Sequence, residues 1–372
     1  MSNSLQTTLH FIQDTPTPHN NVLLKAVQAN PGVDLKIWYA MLQHPQYSFP
    51  AALGHETGIP NVYGHRRPGW KLIGTALRNA HDKYFIVGWM NPTTRLLVVL
   101  FWLLRRPYNM WFDRPNDKDS SPLKTLLRNV FYWLLRTSRA NVYVVGAGTR
   151  EYFARRGFPE ARLTNLPILV AVDKAPDEYR GRRAEIRARY NARDTDLFVV
   201  TGSRLIREKG FDLLIDALAC LDDVTRSRVR VLIVGKGEEK PDLVRRALDE
   251  NVADAVFFED WMGHDEFMAH LGAADLAVHP ARYDAYGGIT LSAMVAGVPV
   301  VGSDQAGSAR ERIEHAVNGW LYCAEDVTEL AQWLATAVAH RDALKAMGVS
   351  ARRTAERYSP AAGATTLLQS LA

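Results

Sequence analysis

From Val199 onward, short apolar runs alternate with stretches whose apolar residues recur at three- and four-residue spacing. That alternation predicts strands at Leu197 to Thr201, Val229 to Val234, Ala255 to Phe258, Leu276 to His279 and Val298 to Val301. Between them, Phe211 to Cys220 and Pro241 to Asp249 carry the spacing of amphipathic helices. Strands separated by helices predict a parallel sheet with helices on its faces. The first half repeats the pattern less clearly, with strands expected at Leu9 to Ile12, Leu35 to Tyr39, Tyr84 to Val87, Tyr108 to Phe112 and Val142 to Val145. A charged stretch from Asp173 to Asp196, with a helix inside it, divides the halves. No internal repeat or low-complexity tract interrupts this order.

Two places in the second half could hold an anion. In YDAYGGITLSAMVAGVPVVGSDQAG, Tyr283 to Gly307, two glycines open an apolar helix that Ala296-Gly297-Val298-Pro299 stops before the next strand. Such a turn aims free N–H groups and the positive end of a helix dipole at one point, which suits phosphate. Upstream, GSRLIREKG places Arg204 and Lys209 on one loop after a strand, so both cations can reach a single anionic group. Solvated loop charges would be the ordinary reading of the pair. The downstream turn favours the ligand reading, because both loops follow strands of one expected sheet, and ligands bind at carboxyl ends.

With 372 residues, 47% of them hydrophobic, the chain exceeds one ordinary core and predicts two domains. Its two cysteines, Cys220 and Cys323, lie in apolar sequence without a CxxC or Cys/His cluster, which predicts neither a disulfide framework nor structural zinc. The N-terminus lacks a basic region followed by an apolar one, so the expected setting is cytoplasmic. The net charge of +5 is uneven: residues 61–160 carry 17 Lys/Arg against 6 Asp/Glu, leaving the remainder negative. A basic N-terminal half could meet nucleic acid, an anionic membrane surface or an acidic substrate. Two apolar stretches lie within it. Leu96 to Leu104 is too short to span a bilayer and, with Asn91 as cap and Pro92 in the first turn, reads as a core helix. Leu123 to Leu135 interleaves apolar residues with Lys124, Arg128, Arg136 and Arg139, and reads equally as a core helix with a basic face or as one lying on an anionic bilayer.

The segments GSRLIREKGFDLLIDAL, VLIVGKGEE and AADLAVHPARYDAYGGITLSAMVAGVPVVGSD, followed by Glu311 and Asn318-Gly319, resemble the C-terminal half of the retaining, GT-B-fold glycosyltransferases of family 4, also called group 1. Order and spacing agree over about Val199 to Leu321, a third of the chain; the N-terminal half resembles the family mainly in layout. The resemblance implies an α/β fold of two Rossmann-like doubly wound domains facing each other across a cleft. Residues 1–172 would bind acceptor, 173–195 would be an interdomain segment, 196–355 would bind a nucleotide sugar, and 356–372 would form a C-terminal helix packing back on the N-terminal domain. It implies that Arg204 and Lys209 bind the donor's diphosphate, that Gly287, Gly288, Ile289 and Thr290 bring their amides to the diphosphate and the transferred sugar, and that Gly202 and Gly235 follow nucleotide-binding strands. Asp284 and Ser292 fall where the family usually has two glutamates, one near the sugar hydroxyls and one near the ribose. Asp284 keeps a carboxylate on a shorter arm; Ser292 loses the charge and most of the reach.

The N-terminal half departs further. After the first expected strand, Gln13 to Asn21 contains no glycine where the family often has a glycine-rich loop; His19 and Asn20 read as caps of the following helix or as sugar or acceptor contacts. Asp113, at the end of an expected strand, is the nearest counterpart of a histidine that the family places at the reaction centre. It could hold an acceptor hydroxyl or pair with Arg114 or Arg106. Asp117-Lys118-Asp119 matches the DxD metal-diphosphate pattern of another glycosyltransferase fold but sits in a polar loop. Gly235-Lys236-Gly237 is neither a Walker loop nor a full GxGxxG, and no GxSxG elbow supports a hydrolase. Trp261-Met262-Gly263 offers an aromatic face to a nucleotide base, or is an ordinary tryptophan.

The resulting expectation is a retaining hexosyltransferase that needs no metal and moves a sugar from a nucleoside-diphosphate sugar to an acceptor hydroxyl. The basic half points to a lipid-linked or cell-envelope glycan intermediate, as in polysaccharide or lipopolysaccharide assembly, with the enzyme peripheral on the inner face of the membrane. No nucleic acid is expected as partner. A soluble acidic acceptor would explain the same charges. The alternatives are a catalytically weak donor-binding or partner subunit of the same fold, and a sugar-nucleotide epimerase.

Overall fold

The computed structural model describes residues 6–43, 51–89, 91–115 and 121–369. The chain divides into two compact units, Met1–Ala171 with Ser359–Ala372, and Val172–Tyr358. In the first unit β1 (Thr7–Gln13), β2 (Val33–Tyr39), β3 (Asn61–Val62), β4 (Lys83–Val87), β5 (Tyr108–Phe112), β6 (Ala140–Val144) and β7 (Leu163–Asn165) form one parallel sheet in the order β3-β2-β1-β4-β5-β6-β7. A parallel sheet is covered on both faces, so its strands are continuously apolar rather than alternating. In β5, Tyr108, Met110, Trp111 and Phe112 are accordingly buried, with only Asn109 as a polar neighbour.

Three helices of this unit start in the same way, with a polar cap followed by proline in the first turn. Thr17 precedes Pro18–Gln28, Asn91 precedes Pro92–Leu103, and Ser121 precedes Pro122–Thr137. The cap oxygen accepts an N–H that the helix cannot satisfy, and proline sits where no N–H is needed. Asn91 Oδ1 accepts the Thr94 N–H at 2.9 Å, as expected from the sequence. The first helix differs from expectation: its cap is Thr17, whose hydroxyl oxygen accepts the Asn20 N–H at 3.2 Å, so His19 and Asn20 lie inside the first turn. Pro18 decides this, because its fixed φ suits the first helical position and pushes Thr17 into an extended conformation. The last helix, Pro360–Gln369, packs on Pro18–Gln28 within this unit. A Cβ on Gly363 would stand 2.1 Å from Leu169, so the small residue sets how closely the helix seats.

The second unit carries β8 (Leu197–Gly202), β9 (Val229–Val234), β10 (Val256–Glu259), β11 (Leu276–His279), β12 (Val300–Ser303) and β13 (Gly319–Tyr322), all parallel, in the order β10-β9-β8-β11-β12-β13. Strand order reverses between β8 and β11. In doubly wound sheets the crevice at the carboxyl ends of such a pair is where ligands bind. The strand expected at Val298 to Val301 begins two residues later, since Pro299 has no N–H to give to a ladder.

The stretch read as interdomain, residues 173–195, lies within this second unit. Arg187, on the short helix Arg183–Arg189, is almost fully buried and pairs with Asp275 at 2.9 Å while donating to the carbonyls of Arg193 and Asp196. Arg183 and Arg341 share the same carboxylate. Burial would raise the Asp275 carboxyl, but Arg187 and Arg183 outweigh it and hold it below the usual carboxylate range. Cys220 and Cys323 are free and exposed, each just after the end of an element. No helix among the described residues is long and apolar enough to cross a membrane.

Candidate functional site

At the β8/β11 reversal two loops meet. The loop after β8 runs to Gly210, which holds φ +67°; a Cβ there would stand 2.1 Å from the Pro280 carbonyl, so the loops touch backbone to backbone. This contact brings Lys209 of the first loop to Asp284 of the second, with Nζ 2.6 Å from Oδ2 and both side chains about one-tenth exposed. His279, the last residue of β11, completes the group. Its Nε2 lies 3.2 Å from the same Oδ2 and its Nδ1 lies 2.9 Å from Thr290 Oγ1. A carboxylate can only accept, so Nε2 carries the hydrogen; in the neutral ring Nδ1 then accepts from the threonine hydroxyl. Burial would raise the Asp284 carboxyl, yet the contacts with His279 and Lys209 outweigh it and hold the group well below the usual aspartate value. The other oxygen, Oδ1, accepts the Tyr286 N–H at 3.3 Å.

The turn that carries Asp284 is held from behind by residues 305–308. The Asp284 N–H donates to the Gln305 carbonyl (3.2 Å), the Gly307 N–H to the Asp284 carbonyl (3.0 Å), and the Ser308 N–H to the Tyr286 carbonyl (2.8 Å). Ser308 Oγ adds a 2.8 Å bond to the Gly287 carbonyl. Beneath the turn the buried Tyr286 hydroxyl donates to Glu311 at 2.6 Å and accepts from Arg312 Nε at 3.1 Å. Gly287 holds φ +90°, and a Cβ on it would stand 2.2 Å from the His279 ring, so both backbone and space require glycine. The helix that follows, Gly288–Val295, has no side-chain cap. Its first N–H groups, from Gly288 to Thr290, have no partner among the described residues and follow directly on the turn whose Asp284 holds the Lys209 ammonium, an arrangement suited to a phosphate.

The other expected residues of this unit take different positions. Arg204 is exposed, and its guanidinium makes no hydrogen bond or ion pair among the described residues. Ile289 is buried, so only its backbone can serve a ligand. The Thr290 hydroxyl is taken by His279, which likewise leaves that residue's N–H. Ser292 is half-buried one turn further along the helix. Gly202 and Gly235 let loops abut: a Cβ on Gly202 would lie 2.8 Å from the Val234 carbonyl, and one on Gly235 1.9 Å from the Ser203 carbonyl. Trp261 is half-exposed in the segment following the edge strand β10.

In the first unit the order reverses between β1 and β4, and polar side chains gather after those strands. Asn20 Nδ2 donates to Gln13 Oε1, and Asn91 Nδ2 donates to Asp14 Oδ1 and, at 2.9 Å, to the Tyr63 hydroxyl. Asp113 is exposed just past β5. Arg106 is engaged elsewhere, donating to the carbonyls of Ala76 and Leu77 at the end of a helix. Asp117-Lys118-Asp119 lies outside the described residues. Among the described residues no group of three His, Cys, Asp or Glu side chains is arranged to hold a metal ion.

Residues 182–354 match the family model for group 1 glycosyl transferases. The GDP-mannose-dependent alpha-(1-6)-phosphatidylinositol monomannoside mannosyltransferase of Mycobacterium tuberculosis is 35% identical over 222 residues, covering 57% of this chain and 56% of that protein. The alpha-D-kanosaminyltransferase of Streptomyces kanamyceticus is 27% identical over 185 residues, 50% of this chain and 47% of its own. The chain thus spans about half the length of the curated relatives it matches. Among solved structures, Anabaena Alr3699/HepE in complex with UDP superposes with a TM-score of 0.77 at 21% identity over 98% of this chain and 99% of that one. WaaG, a glycosyltransferase involved in lipopolysaccharide biosynthesis, does so with a TM-score of 0.69 at 16% identity over the same shares. At these identities the likeness shows the fold, which is the two-domain α/β fold of GT-B glycosyltransferases.

Proposed function

Residues 182–354 belong to the group 1 glycosyltransferases, and on that premise we propose that the chain moves a hexose from a nucleoside-diphosphate sugar to an acceptor hydroxyl with its anomeric configuration retained. The observation that carries this reading is the junction of Lys209, Asp284 and His279 with the uncapped start of the Gly288–Val295 helix, at the strand-order reversal of the second unit.

Each part has a chemical task. Lys209 has three N–H donors and gives one to Asp284, which leaves donors for a diphosphate oxygen. The N–H groups of Gly288 to Thr290 face developing negative charge, and Arg204, which has no partner among the described residues, is free to fold over the same group. Asp284 stays ionised, with two donors on Oδ2 and, among the described residues, one long bond on Oδ1, so Oδ1 is the oxygen that accepts from sugar hydroxyls. His279 positions that carboxylate and ties it to Thr290. Transfer then proceeds on one face of the sugar: the bond from the anomeric carbon to the diphosphate breaks as the bond to the acceptor oxygen forms, and the acceptor proton passes to the departing phosphate oxygen. No protein nucleophile is needed. Two cations and a helix terminus carry the stabilisation that a metal supplies elsewhere.

The donor screen starts from GDP-mannose, named for the mycobacterial relative, and UDP-glucose, which HepE binds. The acceptor we favour is lipid-linked, in line with the phosphatidylinositol mannoside of that relative's name and the basic first unit. Turnover of labelled donor should persist in excess chelator and fall at least about hundredfold in Arg204→Ala and Lys209→Ala. Loss of turnover in chelator together with full activity in both variants would refute the mechanism.

A further inference from the structure

The helix Pro122–Thr137 has two apolar faces. Phe131, Tyr132 and Leu135 enter the core of the first unit. Leu123, Leu126, Leu127, Val130 and Trp133 stand on the other side, between 47% and 65% exposed. Their spacing draws a continuous ridge along one helix face. The neighbouring helix Pro92–Leu103 presents a second ridge, Leu96, Val99 and Leu103, also exposed. The helices pack on each other, and Trp102 joins them: its ring lies 5.7 Å from that of Trp133 and its Nε1 donates to Thr137 Oγ1 at 2.9 Å. Nearly half of the large exposed hydrophobic side chains among the described residues fall in these two helices and the residue after the first. A soluble surface scatters such residues; a patch this size, rimmed by charge, marks an interaction site.

We propose that this two-helix ridge docks the protein on an anionic lipid bilayer, with both helices lying in the plane of the interface. Charge selects the occupant. Neither helix contains an acidic residue, while Arg95, Lys124, Arg128 and Arg136 lie on them and Arg105 and Arg106 follow the first. A second copy of the chain meeting this face by twofold symmetry would set those cations against their own equivalents, which opposes pairing. Anionic headgroups complement them, while leucine side chains and one tryptophan enter the acyl boundary, where an aromatic ring with a polar edge is favoured. The proposal adds a partner to the glycosyltransferase reading and does not rest on it, because the ridge lies within the first unit and its test involves no turnover.

Cosedimentation of the full chain with vesicles at low salt tests it. Equimolar phosphatidylcholine and phosphatidylglycerol should bind the protein at least about tenfold more tightly than phosphatidylcholine alone, and molar salt should weaken that binding. Leu127→Glu and Trp133→Glu should each reduce binding about tenfold or more, whereas Leu248→Glu, at an exposed leucine of the second unit, should leave it unchanged. Leu126→Ser serves if a glutamate variant fails to fold. The proposal is overturned if wild type does not bind the mixed vesicles, if it binds neutral ones equally, or if the ridge variants bind as well as wild type. It is equally overturned if the chain dimerises in solution and Leu127→Glu abolishes dimerisation without changing vesicle binding.

Discussion

Asp284 is held ionised by two donors that reach it from different strand ends, and its protonation should therefore register in stability. Its carboxyl titrates lower in the folded chain than in the unfolded one, so its contribution is complete above the ordinary aspartate value near 3.8 and drains away as pH falls toward the folded value. Asp284→Asn should be less stable than wild type at neutral pH, with the gap closing below pH about 4 in denaturation curves taken across pH. A constant gap would show that the carboxylate's charge is not what the fold uses. Gly287→Ala meets both a left-handed backbone and the His279 ring; we expect a loss of about 2 kcal/mol or more and no detectable donor binding in calorimetry. Lys209 stood out in the sequence as one of two cations on a loop after a strand, and Asp284 through the family motif that carries it. His279 did not, because a histidine ending an apolar strand reads as core, and only the fold shows that Pro280 turns the chain so that Asp284 folds back onto the ring. The proline and the aspartate five residues after the histidine were the signal available. The Thr290 side chain was likewise illegible, since its hydroxyl partner lies on another element.

At the scale of elements, what could be read depended on length and local chemistry. Long apolar runs with caps, such as Asn91-Pro92 before Pro92–Leu103, were plain. Among the described strands, β3 and β7 were missed: Asn61–Val62 and Leu163–Asn165 are two and three residues long and half polar, and only their neighbours make them strands. β13 was missed because Gly319 opens it, a residue that usually marks a turn; a Cβ there would stand 2.2 Å from the Val300 carbonyl, so the glycine serves close strand packing. The residues 173–195 show the same limit from the other side. Their charges read as an interdomain segment dividing the halves, whereas Arg187 and Arg183 are anchors on Asp275 within the second unit. Arg187→Met should cost about 3 kcal/mol in chemical denaturation, since it leaves Asp275 and two carbonyls short of a buried donor. A change below about 0.5 kcal/mol would assign that segment's attachment to apolar packing alone.

For the molecule as a whole, two parallel sheets with reversed strand order give two carboxyl edges, and their chemistry differs. The second unit gathers a lysine, a histidine and free backbone amides around Asp284; the first gathers side-chain amides and the Tyr63 hydroxyl around Asp14, with cations and exposed leucines on its outer helices. This division is why composition announced a basic N-terminal half, yet only the order of motifs pointed to a ligand for the C-terminal half. It also predicts that donor affinity and vesicle affinity respond to different substitutions: Leu127→Glu should keep the donor affinity of wild type, and Lys209→Ala should keep its vesicle binding. The central claim is that the Lys209, Asp284 and His279 junction with Arg204 holds a nucleoside-diphosphate sugar, and calorimetric titration of wild type, Arg204→Ala and Lys209→Ala with GDP-mannose and UDP-glucose tests it most directly. The account predicts that one of these donors binds wild type and that each substitution weakens it at least about tenfold. Donor binding that is untouched by both substitutions would contradict it.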